Sequence, residues 1–361
     1  MLMKQHSYAF YNGHLSTVFK RRRELLRKIK LLEGVVPVTA PSDISLEHLD
    51  TPDVDRIVAA IDAREPLDEE QLLAYERAIK WEVDALSDEL RGKATQPGHE
   101  YPHNLTLRNH LEYMVLPTVV YELEYPRSGS VDWHYAAEKA AACVGVMFVM
   151  ILVSQAYIYP VVVAAVRMKE AGVPLGARLG EFPWMLLDLL FPFMVEYLLA
   201  WYLIWETVLN LLAELTRFAD RGFYGAWWNC VSWDQFARDW NRPVHNFLLR
   251  HVYHSSISAL RVDRHTATLI TFFLSACVHE LVMWCIFKKL RGYLLVLQMS
   301  QLPVSPRYRI PSYHLRSADW MQLVRLNRTK WLRNRPRLGN IIFWLGIFTS
   351  PSVLCSLYLI L

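Results

Sequence analysis

The stretch Thr266–Phe287 reads TATLITFFLSACVHELVMWCIF, and Lys288-Lys289 close it. Apart from the adjacent His279-Glu280, it has no acidic or basic side chain. Its 22 residues, at ~1.5 Å each, give ~33 Å of helix, enough to cross a hydrocarbon core of ~30 Å. A titratable pair at that depth is costly unless it faces a protein interior or a water-filled cavity, so it reads as a functional site. The alternative is a structural histidine hydrogen-bonded to a neighbouring helix.

Working outward, the rest of the chain reads as membrane protein. Hydrophobic residues make up 53% of the 361 and are gathered into long runs, so one polytopic unit is expected rather than several soluble domains. The stretch 140–166 carries no charge. Residues 182–215 are apolar with isolated Asp188, Glu196, Glu206 and Glu214, and 341–361 are uncharged. A further stretch, 293–303, is too short to span alone. The net charge of +4 says little, but the basic residues cluster. They gather at 20–23, at Lys288, Lys289 and Arg291, and at Arg325, Arg328, Lys330, Arg333, Arg335 and Arg337. The last two groups flank apolar runs, which argues for the cytosolic side and against nucleic acid as a partner. Five cysteines (143, 230, 277, 285 and 355) form no CxxC and mostly lie in apolar runs. They predict no disulfide framework and no metal site. Residues 1–30 are polar and basic, so internal helices are expected to drive insertion.

The expected fold is all-α: a polytopic transmembrane helical bundle over 136–361, after a polar, partly helical region over 1–135. Within the acidic stretch 43–89, Leu72, Tyr75, Ile79, Leu86 and Leu90 follow helical spacing, and Gly92 supplies a stop. Residues 94–102 read as a linker. EYMVLPTVVYELEYP at 112–126 is aromatic-rich and reads as an interfacial segment.

The densest site-like stretch is RFADRGFYGAWWNCVSWDQFARDWNRPVHNFLLRHVYH at 217–254, with Asn229 and Asn241 each directly after a tryptophan. An aromatic belt at headgroup level is one reading. A mouth that stacks and pairs with a nucleotide-bearing amphiphile is the other.

FYGAWWN at 223–229 resembles the FYxDWWN motif of the membrane-bound O-acyltransferases that make sterol esters and triacylglycerol. The WNxPVH spacing at 240–245 and the His279-Glu280 pair match too. ELTRFADR, WWNCVSW, PVHNFLLRHVYHSS, TLITFFLS, FKKLR, GNIIFWLG and KQHSYAFYNGHL resemble the fungal acyl-CoA:sterol O-acyltransferases. The resemblance covers most of the chain outside roughly 41–95.

It implies transfer of a fatty acyl group from acyl-CoA to a sterol 3β-hydroxyl, in the endoplasmic reticulum membrane. His279 would be the general base and Asn241 an amide donor to the thioester carbonyl or its oxyanion. Phe223, Tyr224, Trp227, Trp228, Asn229, Trp240 and His245 would line the acyl-CoA or acceptor site. Glu280 would be a structural partner. No cofactor is implied, because acyl-CoA is a substrate. The implied partners are acyl-CoA, sterol, membrane lipid and further copies of the chain. Diacylglycerol as acceptor, or a truncated non-catalytic paralogue, are the alternatives.

Three departures accompany the resemblance. Ala226 stands where the motif has Asp, so a mobile loop and weak or absent activity are expected. The family normally extends upstream of KQHSYAF, so a chamber lacking part of its wall is expected. VSPRYRIPSYHLRSADWMQ at 304–322 is polar and irregular between apolar segments. Deleting it gives QMSQLPLVRLNRTKW, which matches the family better, so a retained in-frame intron is expected there. A genuine loop insertion is the alternative.

Overall fold

A computed structural model describes residues 1–35, 54–64, 67, 69–299 and 335–360. The suspected insertion at 304–322 lies outside the described residues, as do Arg325–Arg333 of the basic group. Two compact units are resolved, Met1–Pro126 and Arg127–Leu361. The division falls nine residues before the position expected from the sequence. The residues just after Pro126 are tied into the second unit. Arg127 bridges Phe218, and the Asp132 N–H donates to Glu214 Oε1 at 2.7 Å.

The first unit is built on α1 (Leu2–Leu32), α2 (Val54–Asp62), α3 (Glu69–Arg91) and α4 (Leu107–Val115). The acidic stretch does form an amphipathic helix. On α3, Tyr75, Ile79, Val83 and Leu90 are buried at helical spacing, against Leu25, Ile57 and Ile61 or against Leu15 and Val18. The stop at Gly92 has φ +51°, in the left-handed region.

The aromatic segment read as interfacial packs into the first unit through two of its tyrosines. Tyr113 and Tyr121 are fully enclosed within the unit, ring against ring at 5.1 Å. Their hydroxyls find protein partners, Val119 O and Asn109 Oδ1, at 2.9 and 2.7 Å. Rings satisfied in this way have no need of headgroups.

Among the described residues, the second unit has four helical runs long and apolar enough to cross a membrane: Trp133–Glu170, Leu175–Leu215, Arg264–Phe287 and Pro336–Ile360. The first joins α5 (Trp133–Val153) to α6 (Tyr159–Glu170) through a π-helical turn at Ser154–Ile158. The second joins α7 (Leu175–Trp201) to α8 (Leu209–Leu215) through a π-helical segment at Tyr202–Val208. Between spans lie α9 (Trp233–Asp239), α10 (Arg242–Phe247), a π-helical segment at Leu248–His254 and α11 (Ser255–Leu260). Then follow α12 (Arg264–Phe287), α13 (Tyr293–Met299) and α14 (Pro336–Ile360). Asp132 caps α5 and Asp263 caps α12, each accepting from two backbone N–H groups of the first turn.

Side-chain contacts fix the directions of the spans. Arg178, near the start of α7, donates to Ile360 O at the end of α14, 2.7 Å away, so these helices are antiparallel. Phe287 at the end of α12 stacks on Tyr358 at the end of α14, with centroids 4.8 Å apart, so those two are parallel. The starts of α12 and α14 therefore share one side, here the motif end, and their C-termini share the far end. This corrects the sidedness read from charge. Lys288, Lys289 and Arg291 follow the end of α12, whereas Arg335 and Arg337 stand at the start of α14. Parallel spans cannot put both groups on one face of a membrane.

Candidate active site

The motif loop, residues 223–229, lies against the first turns of α14, which defines the motif end. Its floor is aromatic: Trp227 packs edge-on to Trp201 and Trp240, at 5.2 and 4.8 Å between centroids. Tyr197 stacks on Trp240 at 5.0 Å, and Phe236, Phe343 and Trp344 close the cluster. Gly346 on α14 admits the Trp233 ring, for a Cβ there would lie 2.5 Å from Cζ2. α14 also holds the loop by polar contacts. Asn340 Nδ2 donates to Trp228 O and Cys230 O, and Trp344 Nε1 to Trp228 O, all at 2.9 Å.

Ala226, the N-cap of the short turn Trp227–Asn229, brings no side-chain hydrogen bond to this loop. Backbone hydrogen bonds tether it: Gly225 N to Asp239 O at 2.7 Å, Arg242 N to Phe223 O at 3.0 Å and Asn229 N to Ala226 O at 3.0 Å.

The expected lining residues divide by exposure. Phe223 is 2% and Trp227 3% exposed, so both are enclosed by packing. Trp228 and Asn229 are exposed, and Tyr224, Trp240 and His245 are half-buried. Burial, with Arg238 adding to it, lowers the pKa of His245 and favours its neutral ring. Cys230 is buried and its thiol is pushed up to about 11, which removes it as a nucleophile at neutral pH.

Asn241 is the N-cap of α10. Its Oδ1 accepts from Val244 N at 3.2 Å, and no partner is seen for its Nδ2 among the described residues. Capping thus fixes the orientation of the amide and leaves its N–H groups to donate. α10 continues into Leu248–His254, which packs against α12.

His279 and Glu280 point different ways, as neighbours about 100° apart on a helix must. The reading of a buried pair therefore holds for Glu280 alone. Glu280 is 3% exposed. Its carboxylate accepts from the N–H groups of Arg291, Gly292, Leu294 and Leu295 and from Tyr358 Oη at 2.6 Å. It thereby clamps the start of α13 and the end of α14 onto α12, a structural partner as expected. His279 lies on the exposed side of α12, beside Val278 and Val282. Its Nδ1 is 2.7 Å from Ser275 O. A carbonyl oxygen can only accept, so Nδ1 carries a proton, and in the neutral ring Nε2 presents a lone pair. His279 is not part of the aromatic cluster that gathers Tyr224, Trp227 and Trp240.

Sequence reasoning missed the polar link beneath Tyr224. Tyr224 Oη donates to Glu206 Oε2 at 2.6 Å, and Lys139 Nζ donates to Glu206 Oε1 at 2.8 Å. Glu206 lies in the π-helical segment Tyr202–Val208 and Lys139 on α5, so three elements meet at one carboxylate. An isolated acid in an apolar run was the signal. Replacing Glu206 with Gln leaves the Lys139 cation, whose side chain is 9% exposed, with only the longer 3.9 Å contact to Glu138. Breaking a fully buried pair costs about 3–5 kcal/mol, and Glu206 at 24% exposure places the loss below that. Thermal unfolding should show Glu206→Gln less stable than the double variant Lys139→Met/Glu206→Gln. Additive losses would mean that the pair is not coupled.

Fold and site define a multi-pass helical membrane protein with a histidine inside one span and an oriented amide before it. The chain belongs to the membrane-bound O-acyltransferase family, whose profile matches residues 96–318, more than half of its length. It is 38% identical to sterol O-acyltransferase 2 of Candida albicans over 99% of this chain and 55% of that protein. It is 40% identical to sterol O-acyltransferase 2 of Saccharomyces cerevisiae over 99% of this chain and 48% of that one. Similarity to diacylglycerol O-acyltransferase 1 of Dictyostelium discoideum is 30% identity over 72% of the chain and 37% of that protein. The chain spans about half the length of the curated sterol relatives it matches.

Proposed function

We propose that this protein transfers a fatty acyl group from acyl-CoA to the 3β-hydroxyl of a sterol, in the endoplasmic reticulum membrane. The observation that carries the chemistry is the Nδ1 hydrogen bond of His279 to Ser275 O, which leaves Nε2 as a base within an apolar span. Nε2 takes the hydroxyl proton as the sterol oxygen attacks the thioester carbonyl. The Asn241 Nδ2 amide steadies the oxyanion of the tetrahedral intermediate. Collapse of that intermediate expels the CoA thiolate, which takes the proton back from the imidazolium. An imidazole open to its apolar surroundings suits an acceptor that arrives from the bilayer. In this reading Trp228, Asn229 and His245 meet the acyl-CoA, and assembly into a homo-oligomer belongs to the same reading.

The greater identity to the sterol enzymes supports sterol over diacylglycerol. The test supplies labelled acyl-CoA with both acceptors to membranes of cells lacking their own esterification. Label should enter sterol ester. Label confined to triacylglycerol would reassign the acceptor. No label in either product, at matched expression of inserted protein, would make the chain a non-catalytic relative.

A further inference from the structure

Four cations gather at the far end of the second unit, away from the motif loop: Lys169 on α6, Arg178 on α7, and Lys289 and Arg291 after α12. Hydrogen bonds and packing bring their elements together. Arg178 Nη1 holds Ile360 O at 2.7 Å, which fixes the guanidinium at the last turn of α14. Arg291 reaches the same turn. Its backbone N–H donates to Glu280, the acceptor of Tyr358 Oη, and its guanidinium lies over the ring of Tyr293, which packs edge-on to Tyr358. Lys169 follows Met168, which packs with Ala165, Met185 and Ile360. Lys289 stands two residues after Phe287, which stacks on Tyr358 in that same last turn, so all four cations belong to one end of the spans.

No carboxylate neutralises this group among the described residues. Glu280 is taken up by four backbone N–H groups and a tyrosine hydroxyl. Glu170 and Glu181 are exposed and form no ion pair there. Nε of Arg178 and Nε of Arg291 are both buried without an acceptor. Like charges held this close are unfavourable unless an anion joins them. Guanidinium and ammonium donors together suit the several oxygens of a phosphate. At the ends of membrane spans, that is the level of lipid headgroups.

We propose that Lys169, Arg178, Lys289 and Arg291 form a binding site for a phosphate-bearing anion, which its position at the ends of the spans makes the headgroup of an acidic phospholipid. The site is a full helix length, about 35 Å, from the start of α12. It does not depend on the acyl-transfer reading, because binding is measured without turnover.

The purified full chain is titrated in neutral detergent with fluorescent phosphatidic acid, and with phosphatidylcholine as the uncharged-surface control. Each cation near a membrane surface contributes about 1 kcal/mol, or about five-fold in affinity. Lys169→Gln/Lys289→Gln should therefore weaken phosphatidic acid binding about 30-fold. Arg261→Gln/Arg264→Gln, an equal charge change at the motif end, should leave it unchanged, and Lys169→Arg/Lys289→Arg should retain it. Competition arms use inorganic phosphate and free CoA. Failure of both to displace the lipid identifies a headgroup site, and full displacement identifies a site for soluble phosphates. Either result keeps the site if the glutamine pair loses binding. Wild-type affinity in the glutamine pair, or equal binding of phosphatidylcholine, would overturn it.

Discussion

His279→Ala is expected to cut sterol-ester formation by about 10²–10⁴-fold while leaving insertion and expression intact, since the general base accounts for that range. The substitution removes a side chain that packs on little: the imidazole lies on the exposed side of α12, and its one hydrogen bond is to a backbone carbonyl a turn earlier. No buried partner is left unsatisfied except that carbonyl, which keeps its place in the helix. Turnover and acyl-CoA binding should be measured on the same purified protein. Unchanged binding with lost turnover is the expected pattern. Wild-type turnover would remove His279 from the mechanism.

Asn241→Asp gives the second large effect, about 10²–10³-fold in turnover, and it separates two roles that alanine confounds. Aspartate keeps an oxygen to accept from Val244 N, so α10 stays capped. It has no amide to donate. Asn241→Ala loses both, so it should match the aspartate variant in turnover and also lose about 1 kcal/mol of stability. The measurement is turnover beside a thermal or denaturant midpoint for each variant. Near-normal turnover in the aspartate form would reduce Asn241 to a helix cap.

What could be read from the sequence was whatever repeats along one helix. The span 266–287 stands out because its apolar run is long enough to cross a bilayer, and α12 covers it from Arg264 to Phe287. The amphipathic α3 and its stop at Gly92 follow from spacing and from glycine's freedom at positive φ. Facing was harder. His279 and Glu280 are neighbours in sequence, yet one is exposed and the other enclosed, because what covers a face comes from helices far away in the chain. Sidedness failed for a similar reason. Charge clusters beside apolar runs do not say which way each run travels, and it takes Phe287 against Tyr358 to show α12 and α14 parallel. The role of Glu206 needed two distant partners, Lys139 and Tyr224. The tyrosines of 112–126 looked interfacial because composition cannot tell a wet hydroxyl from one satisfied by Val119 O or Asn109.

The π-helical segment Tyr202–Val208 makes this chain sensitive to hydrogen-bond register as well as to identity. A π-turn holds one residue more than a regular turn, so the helix before it and the helix after it are out of phase with a continuous α-helix. Were that interval to relax into a regular α-helix with no residue lost, everything beyond it would swing by about 100°. Upstream, Trp201 would keep its register with Trp227 and Trp240. Downstream, Glu214 would turn away from Asp132 and Arg221, which it now joins across the entrance of α5 and the motif loop. Every side chain would still be present, and the two halves of one helix would no longer agree on where the site is.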